Sequence, residues 1–220
     1  MGKLKAALFD LDGVVFDTET QYTVFWGRQF QEFYPGSKGL EHVIKGQTLV
    51  QIFDGYFRDE LEEKRGLISR RLKEYEKGMH FDYIDGFEQF MTSLRLNGIK
   101  TALVTSSDKG KMEIAYRQRP ELKEFFDAIL TSEDFDRSKP DPDCYEKGAA
   151  RLGATKEGCI VLEDSFNGLK AGRAAGMKVV GFATTNMRES IETLADIVVD
   201  DYKGLNIEIC EKLLGVGRNN

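Results

Sequence analysis

Residues 5–13 read KAALFDLDG, an apolar run that ends abruptly in Asp10, Leu11, Asp12 and Gly13. A short apolar run bounded by turn residues is typical of a buried strand in a parallel sheet. In open parallel sheets, ligands bind in the crevice beyond the carboxyl ends of the strands. This stretch therefore predicts the first strand of an α/β fold and, at its end, the first part of a functional site.

Similar apolar runs recur along the chain, each followed by a helical pattern. Besides residues 5–9, we predict strands at residues 99–104, 128–130, 159–162, 178–182 and 197–199. The helix after Asp141 is expected to begin at Pro142 and to end at Gly153, since Pro suits the first turn and Gly the position past the last. Strands that alternate with helices predict a doubly wound parallel sheet, a Rossmann-like α/β fold.

Residues 17–85 contain no convincing strand but carry three apolar stripes at helical spacing. The stripes comprise Tyr22, Phe25, Trp26, Phe30 and Phe33; Leu49, Ile52, Phe53, Tyr56 and Phe57; and Leu61, Ile68, Leu72, Tyr75 and Met79, the last interrupted by Arg65. Such periodicity is more typical of the core of a small helical bundle than of a cofactor site. We therefore predict a helical cap domain at residues 17–85, inserted into a catalytic core domain formed by residues 1–16 and 86–220.

Composition excludes several classes of function. The 220 residues are 41% apolar, enough for a packed core, and carry a net charge of −6 without a basic stripe. Nucleic-acid binding is therefore not expected. No stretch has the roughly 20 apolar residues needed to cross a bilayer, and the N-terminus lacks a signal-peptide pattern.

The cysteines and histidines narrow the chemistry further. Cys144, Cys159 and Cys210 are odd in number and widely spaced, as expected of free thiols in a reducing compartment. His42 and His80 are the only histidines, which makes a histidine-based zinc site or a Ser-His-Asp triad hard to assemble. We expect a cytoplasmic protein, a monomer, whose partner is a small molecule.

Polar residues follow the later strands as well. Thr105-Ser106-Ser107 follows the second strand, Lys139-Pro140 precedes the helix at Pro142, and Glu163-Asp164-Ser165 follows the fourth strand. Because these ends share one edge of the sheet, carboxylates, a hydroxyl and an ammonium should converge there. Crowded carboxylates repel one another, and a hard cation such as Mg²⁺ relieves that repulsion. The hydroxyl and the ammonium suit the oxygens of a phosphate.

This ordered set resembles the haloacid dehalogenase (HAD) superfamily of phosphotransferases over nearly the whole chain. It is most similar to the branch of β-phosphoglucomutases and sugar-phosphate phosphatases. The resemblance rests on residues 9–14 (FDLDGV), Ser138-Lys139-Pro140, residues 162–165 (LEDS) and Asn167-Gly168. It implies a helical cap between the first two motifs, as the periodicity predicts.

The resemblance also implies roles for individual residues. Asp10 would be the nucleophile that forms an aspartyl-phosphate, and Asp12 the general acid and base. Thr105 would bind a phosphate oxygen, and Lys139 would neutralise charge between nucleophile and phosphoryl group. The cofactor would be Mg²⁺, with Asp10, Asp12, Glu163 and Asp164 as its expected site. Substrate contacts are expected from Ser106, Ser107, Tyr22, Trp26, Lys45, Gln47 and Thr48.

Other interpretations account for fewer of these features. Asp12-Gly13 alone is ordinary turn chemistry, and Ser107 or Asp108 could simply cap a helix. A signalling receiver domain also uses an acidic cluster but is near half this length and lacks the insert. A dehalogenase needs no metal, and Asp12 argues for phosphate chemistry instead. An inactive relative stays open, although none of the four motifs is degraded.

Residues of the predicted cap and of the segment after the second motif distinguish a phosphatase from a mutase. The chain resembles β-phosphoglucomutases at Asp17-Thr18, Trp26 and Lys45-Gly46, but Leu49 stands where they carry an arginine for the distal phosphate. It also has Asp108 in place of a lysine and Tyr22 in place of a histidine. A bidentate arginine contact cannot be replaced by leucine. We therefore expect a Mg²⁺-dependent phosphatase of a small sugar phosphate, with a mutase as the alternative if a residue such as Arg58 supplies the missing contact.

Overall fold

Six short strands form one sheet in which every strand runs parallel to its neighbours. The computed structural model describes residues 3–215, so residues 1–2 and 216–220 of the predicted core domain lie outside the described residues. The strands are β1 (Ala6–Phe9), β2 (Lys100–Val104), β3 (Ala128–Leu130), β4 (Cys159–Glu163), β5 (Lys178–Phe182) and β6 (Ile197–Val199). Each predicted strand is confirmed, and its bounds agree to within one residue.

The spatial order of the strands is β3-β2-β1-β4-β5-β6. Ala6 pairs with Lys100 on one side and with Cys159 on the other, so β1 lies in the middle of the sheet. The chain winds outward from β1 through β2 to β3, and then outward through β4 and β5 to β6. The gap between β1 and β4 is therefore the switch point of a doubly wound fold, where such folds bind their ligands.

Helices fill both the connections of the sheet and the insert after β1. The insert contains α1 (Glu19–Phe33), α2 (Leu40–Val43), α3 (Leu49–Tyr56), a 3-10 helix (Asp59–Lys64) and α4 (Arg65–Lys77). The later helices are α5 (Phe87–Leu96), α6 (Lys109–Gln118), α7 (Leu122–Phe125), α8 (Asp143–Leu152), a 3-10 turn (Lys156–Gly158), α9 (Phe166–Ala174), α10 (Arg188–Ile191) and α11 (Ile207–Gly215). Within residues 3–215, none of these helices has the length and apolar character needed to cross a membrane.

Both faces of the sheet are buried. Neighbouring residues of a strand point to opposite faces, so they belong to different apolar clusters. Phe9 belongs to a large apolar cluster that includes Phe87 and Tyr202, whereas Leu8 belongs to a second cluster with Tyr145. This two-sided burial explains why the strands read as continuous apolar runs.

The insert packs around an apolar cluster of its own, which confirms the interpretation of its stripes as packing. The cluster contains Phe25, Trp26, Phe30, Ile44, Ile52, Phe53, Phe57, Ile68 and Leu72. Arg65, which interrupts the third stripe, donates from Nε to the carbonyl of Phe57 at 2.6 Å and from Nη2 to that of Phe53 at 3.2 Å, where α3 ends. Met79 differs from the prediction, since it packs into the cluster that contains Phe9 and Phe87.

The ends of two helices follow the predicted chemistry. Asp108 caps α6, its Oδ1 accepting a hydrogen bond from the backbone N–H of Lys111 at 2.8 Å. The helix expected to begin at Pro142 starts one residue later, with Pro142 as its N-cap, and it ends at Gly153 in the left-handed conformation.

Candidate active site

Asp10 and Lys139 form a buried ion pair at the end of β1. Lys139 Nζ lies 2.6 Å from Oδ1 of Asp10, and the lysine side chain is only 1% exposed. The same ammonium donates to Oε1 of Glu163 at 2.7 Å and to the carbonyl of Val104 at 3.1 Å. One lysine therefore connects the carboxyl ends of β1, β2 and β4.

Two glycines allow the close approaches that build the site. Gly13 has φ +74° and a Cβ there would overlap the carboxylate of Asp164. Gly46, also at φ +74°, brings the insert so close to Ser165 that a Cβ would overlap its hydroxyl. Only glycine adopts this conformation without a steric cost and leaves room for the neighbouring side chain.

Asp10, Glu163 and Asp164 gather three carboxylates, one oxygen from each lying within 4.8 Å of the others. Burial, together with the charges of Glu163 and Asp12 and against the opposing charge of Lys139, raises the pKa of Asp10 to about 7. Burial and the charge of Glu163 likewise raise the pKa of Asp164 well above its usual range. Both carboxyl groups are therefore less favourable in their ionised form than carboxyl groups in water. Hard oxygen donors with excess negative charge fit a divalent cation such as Mg²⁺.

Glu163 differs from the other two carboxylates because donors of the protein already surround it. It accepts hydrogen bonds from Lys139 Nζ, from the hydroxyl of Tyr145 at 2.8 Å, from the backbone N–H of Asp164 at 3.0 Å, and from both the N–H and the hydroxyl of Ser165 at 3.1 Å. A carboxylate has about four lone-pair positions, so Glu163 has little capacity for a metal ion. The structure therefore favours Glu163 as an anchor for Lys139 and the β4 loop.

Asp12 lies beside the predicted phosphate-binding segment. Ser107 Oγ donates to its Oδ2 at 3.2 Å, and Thr18 Oγ1 hydrogen-bonds its Oδ1. Thr105, which is buried, accepts a hydrogen bond from the N–H of Ser107 at 3.0 Å. The buried hydroxyl of Ser106 has no hydrogen-bond partner among residues 3–215, which leaves it available to a ligand.

Lys111 is a site residue that the sequence analysis missed. Its Nζ lies 2.5 Å from Oδ2 of Asp12 and 4.3 Å from the ring centroid of Tyr22, and its side chain is buried. Because Asp108 stands where β-phosphoglucomutases carry a lysine, no cation was expected on this side of the site. Lys111, one helical turn later, places a cation there. The sequence signal for Lys111 is the helix cap at Asp108, because the residues three and four positions after a cap lie on the same face of the helix as the cap.

A cavity of about 540 Å³ opens over Asp10 and Asp12, between the strand ends and the insert. The predicted contacts Trp26, Lys45, Gln47 and Thr48 all line it, together with Tyr22, Ser106 and Ser107. Thr48 also has a structural task, since its hydroxyl caps α3 in a reciprocal arrangement with Gln51. Lys139 and Glu163 lie behind the cavity wall, where they contact Asp10 and Asp164 rather than open space.

Two further acids in the cavity also escaped the sequence analysis. Glu19 is the first residue of α1, and its Oε2 lies 3.6 Å from Lys45 Nζ. Glu76, on α4, accepts a hydrogen bond from the hydroxyl of Tyr22 at 2.9 Å. Burial raises the pKa of both carboxyls, that of Glu19 to about 7. The two histidines are exposed and outside the cavity lining, as expected.

Comparisons with known proteins agree with this geometry. A bifunctional riboflavin kinase/FMN phosphatase of Arabidopsis thaliana is 27% identical over 93% of this chain and 53% of its own length. The chain thus spans about half of that relative, and 21% of another Arabidopsis protein, SUPPRESSOR OF QUENCHING 1. The β-phosphoglucomutase of Bacillus subtilis is 28% identical over 94% of this chain and 93% of its own length.

The fold has solved counterparts as well. A HAD hydrolase of family IA, variant 3, from Entamoeba histolytica superposes with a TM-score of 0.83 at 21% identity, covering 97% of this chain and 100% of that one. At that identity the likeness shows the fold alone. The model of the haloacid dehalogenase-like hydrolase family matches residues 7–182, which include most of the first strand, the insert and all four motifs. This chain belongs to the haloacid dehalogenase-like hydrolase family.

Proposed function

We propose that this protein is a Mg²⁺-dependent phosphatase that hydrolyses a small phosphate monoester, a sugar phosphate, through an aspartyl-phosphate on Asp10. One observation carries the proposal: two carboxylates from the same strand end have different surroundings. Asp10 contacts Lys139 and the acidic cluster, whereas Asp12 lies among hydroxyls and Lys111 in the lining of the cavity. Such a division suits one nucleophile and one proton carrier.

The residues support a two-step reaction. Thr105 and Ser106 would hold the phosphoryl oxygens while an oxygen of Asp10 attacks phosphorus, and Asp12 would give its proton to the departing sugar oxygen. Asp12 would then take a proton from water, whose oxygen attacks phosphorus and releases the Asp10 carboxylate. Lys139 would hold Asp10 in place throughout, since its Nζ donates directly to Oδ1.

The carboxylates of Asp10 and Asp164, with the carbonyl of Asp12, would hold Mg²⁺. When bound, the ion would neutralise part of the phosphate charge and let an anionic carboxylate approach it. Glu163 would support this set from behind, because its oxygens are occupied by donors of the protein.

The cavity favours hydrolysis over a mutase reaction. A mutase must hold two phosphates, yet no arginine lines the cavity within the described residues 3–215. Leu49 does line it, whereas Arg58 sits outside at the start of the 3-10 helix. Lys45 and Lys111 are paired with Glu19 and Asp12, which limits their use for a second phosphate.

The helical insert would act as the cap. We propose that residues 17–85 form a cap domain over a core of residues 1–16 and 86–220, since α1–α4 pack around their own cluster and line one side of the cavity. We further propose a cytoplasmic monomer that binds neither nucleic acid nor membranes. The three cysteines, all buried and unpaired, and the net charge of −6 support that proposal.

Release of inorganic phosphate from a panel of hexose, pentose, deoxysugar and polyol phosphates, with pyrophosphate included, tests the proposed function. We expect Mg²⁺-dependent release from at least one sugar or polyol monophosphate. Failure of the folded protein to release phosphate from any member, or release from pyrophosphate alone, would contradict the proposal.

Removal of the metal should abolish turnover. We expect EDTA to stop phosphate release and added Mg²⁺ to restore it, while Asp164→Ala should raise the Mg²⁺ concentration needed for half-maximal rate by at least about tenfold. Asp200→Ala, a substitution at a side chain 76% exposed, serves as the matched control and should change nothing. Full activity in EDTA would instead favour a metal-independent dehalogenase.

A further inference from the structure

Lys111 is a buried cation whose ammonium is committed to one carboxylate. Its side chain is 6% exposed, and within residues 3–215 its Nζ makes a single hydrogen bond, to Oδ2 of Asp12 at 2.5 Å. The ring of Tyr22 lies beside the ammonium, with its centroid 4.3 Å away. Lysine is rarely buried unless it is paired, because burial removes the water that solvates its charge. The burial of Lys111 therefore depends on Asp12.

The stability of α6 does not account for a lysine at this position. Lys111 lies in the first turn of the helix, where a positive charge is unfavourable because the helix dipole is positive at that end. The backbone is fixed independently of the ammonium, since the N–H of Lys111 donates to Oδ1 of Asp108 at 2.8 Å and Met112 packs into the apolar cluster that contains Phe9. A neutral side chain would suit both the helix end and the burial better. The specific contribution of the lysine is a fixed cation beside Asp12.

The groups that contact the carboxyl of Asp12 are of two kinds. Thr18 Oγ1 contacts its Oδ1, and Ser107 Oγ lies 3.2 Å from its Oδ2. A hydroxyl can either donate or accept a hydrogen bond, whereas an ammonium can only donate. While Lys111 donates to Oδ2, that oxygen does not carry the proton of a protonated Asp12. Oδ1 is then the oxygen left to carry it.

We propose that Lys111 is a positioning residue that holds Asp12 for proton transfer to the leaving group. In the first step an oxygen of Asp10 bonds to phosphorus, and the leaving oxygen departs with the electron pair of its own bond to phosphorus. That oxygen takes the proton of Asp12 Oδ1, so Asp12 becomes a carboxylate whose charge the ammonium of Lys111 offsets. The inference rests on the proposed function, since it concerns the proton that Asp12 gives to the departing oxygen.

Two substrates that differ in their need for a proton test this role. A sugar alkoxide is a poor leaving group unless it is protonated, whereas p-nitrophenolate departs readily without a proton. Lys111→Met should lower kcat/KM for the sugar or polyol monophosphate that the protein hydrolyses best by about tenfold or more beyond its effect on p-nitrophenyl phosphate, since a positioned general acid contributes about 10²–10⁴-fold. Lys111→Gln is also neutral and should give the same pattern, so it decides the test if circular dichroism shows that Lys111→Met does not fold.

Lys109→Met is the matched control, because Lys109 lies in the same turn of α6 but is exposed and outside the cavity lining, and it should leave both kcat/KM values unchanged. Asp12→Asn is the reference and should show the same dependence on the leaving group as Lys111→Met, to a larger extent. The inference is overturned if Lys111→Met lowers both values equally, as loss of a phosphate-binding lysine would, or leaves both unchanged. If Asp12→Asn itself lowers both equally, or if the unsubstituted protein hydrolyses no such monophosphate, the proposed function fails and the inference fails with it.

Discussion

Asp10→Asn should lower kcat at least a hundredfold and prevent formation of an aspartyl-phosphate, while the fold stays intact. The amide has nearly the same shape as the carboxylate but cannot attack phosphorus usefully, and loss of a nucleophile commonly costs far more than this factor. Phosphate release measures the activity, and circular dichroism with thermal unfolding measures the fold.

Asp54→Asn provides the matched control for this prediction. Asp54 lies on α3 with its side chain 54% exposed, so the same substitution there should leave kcat unchanged. If folded Asp10→Asn protein kept more than about a hundredth of kcat, the covalent mechanism would be wrong.

Lys139→Met should destabilise the protein by about 3–5 kcal/mol near neutral pH, in addition to abolishing turnover. Its ammonium is buried between Asp10 and Glu163, and removing one member of a buried charged set leaves the others uncompensated. The charges of Asp10 and Glu163 outweigh burial and raise the pKa of Lys139, so the lysine stays charged. Denaturant unfolding in EDTA would give the free energy of unfolding.

The pH dependence of this loss follows from the pKa of Asp10. In the folded protein that pKa is raised from 3.8 to about 7, so the stability linked to the protonated carboxyl is complete below about pH 4 and is lost as pH rises through 7. Without Lys139 the ionised form becomes less favourable still. The difference in unfolding free energy between wild type and Lys139→Met should therefore widen as the pH rises above about 7.

Lys147→Met, at a side chain 34% exposed, makes the same substitution in an ion pair near the surface. It should cost far less than Lys139→Met, because exposed ion pairs contribute little to stability. A loss of similar size in both variants would contradict the assigned role of Lys139.

The sheet and the motif residues at its edge could be predicted because their signals are local. An apolar run that is followed by Asp10 or Asp164 predicts a strand, and it also predicts that the aspartate lies at the carboxyl end of that strand. The helices of the insert could also be predicted from a local signal, because its apolar residues repeat with the helical period.

The residues that line the far side of the cavity could not be predicted in this way. Glu19, Glu76 and Lys111 enter the site because the insert and α6 approach the sheet edge, and that approach depends on tertiary packing. The saturation of Glu163 likewise depends on donors from α8 and from its own loop, such as Tyr145. The sequence alone presents Glu163 and Asp164 as equivalent ligands.

Phosphorus NMR of a single reaction tests the central claim, hydrolysis of a monophosphate, most directly. The tube would contain the protein, Mg²⁺, a hexose 1-phosphate and a trace of the 1,6-bisphosphate as primer. A missing charge-assisted contact to a second phosphate lowers retention of the bisphosphate by about one to two powers of ten, from roughly 1.5–3 kcal/mol. We predict inorganic phosphate and free sugar as the products; accumulation of hexose 6-phosphate faster than inorganic phosphate would contradict the phosphatase assignment and establish the mutase alternative.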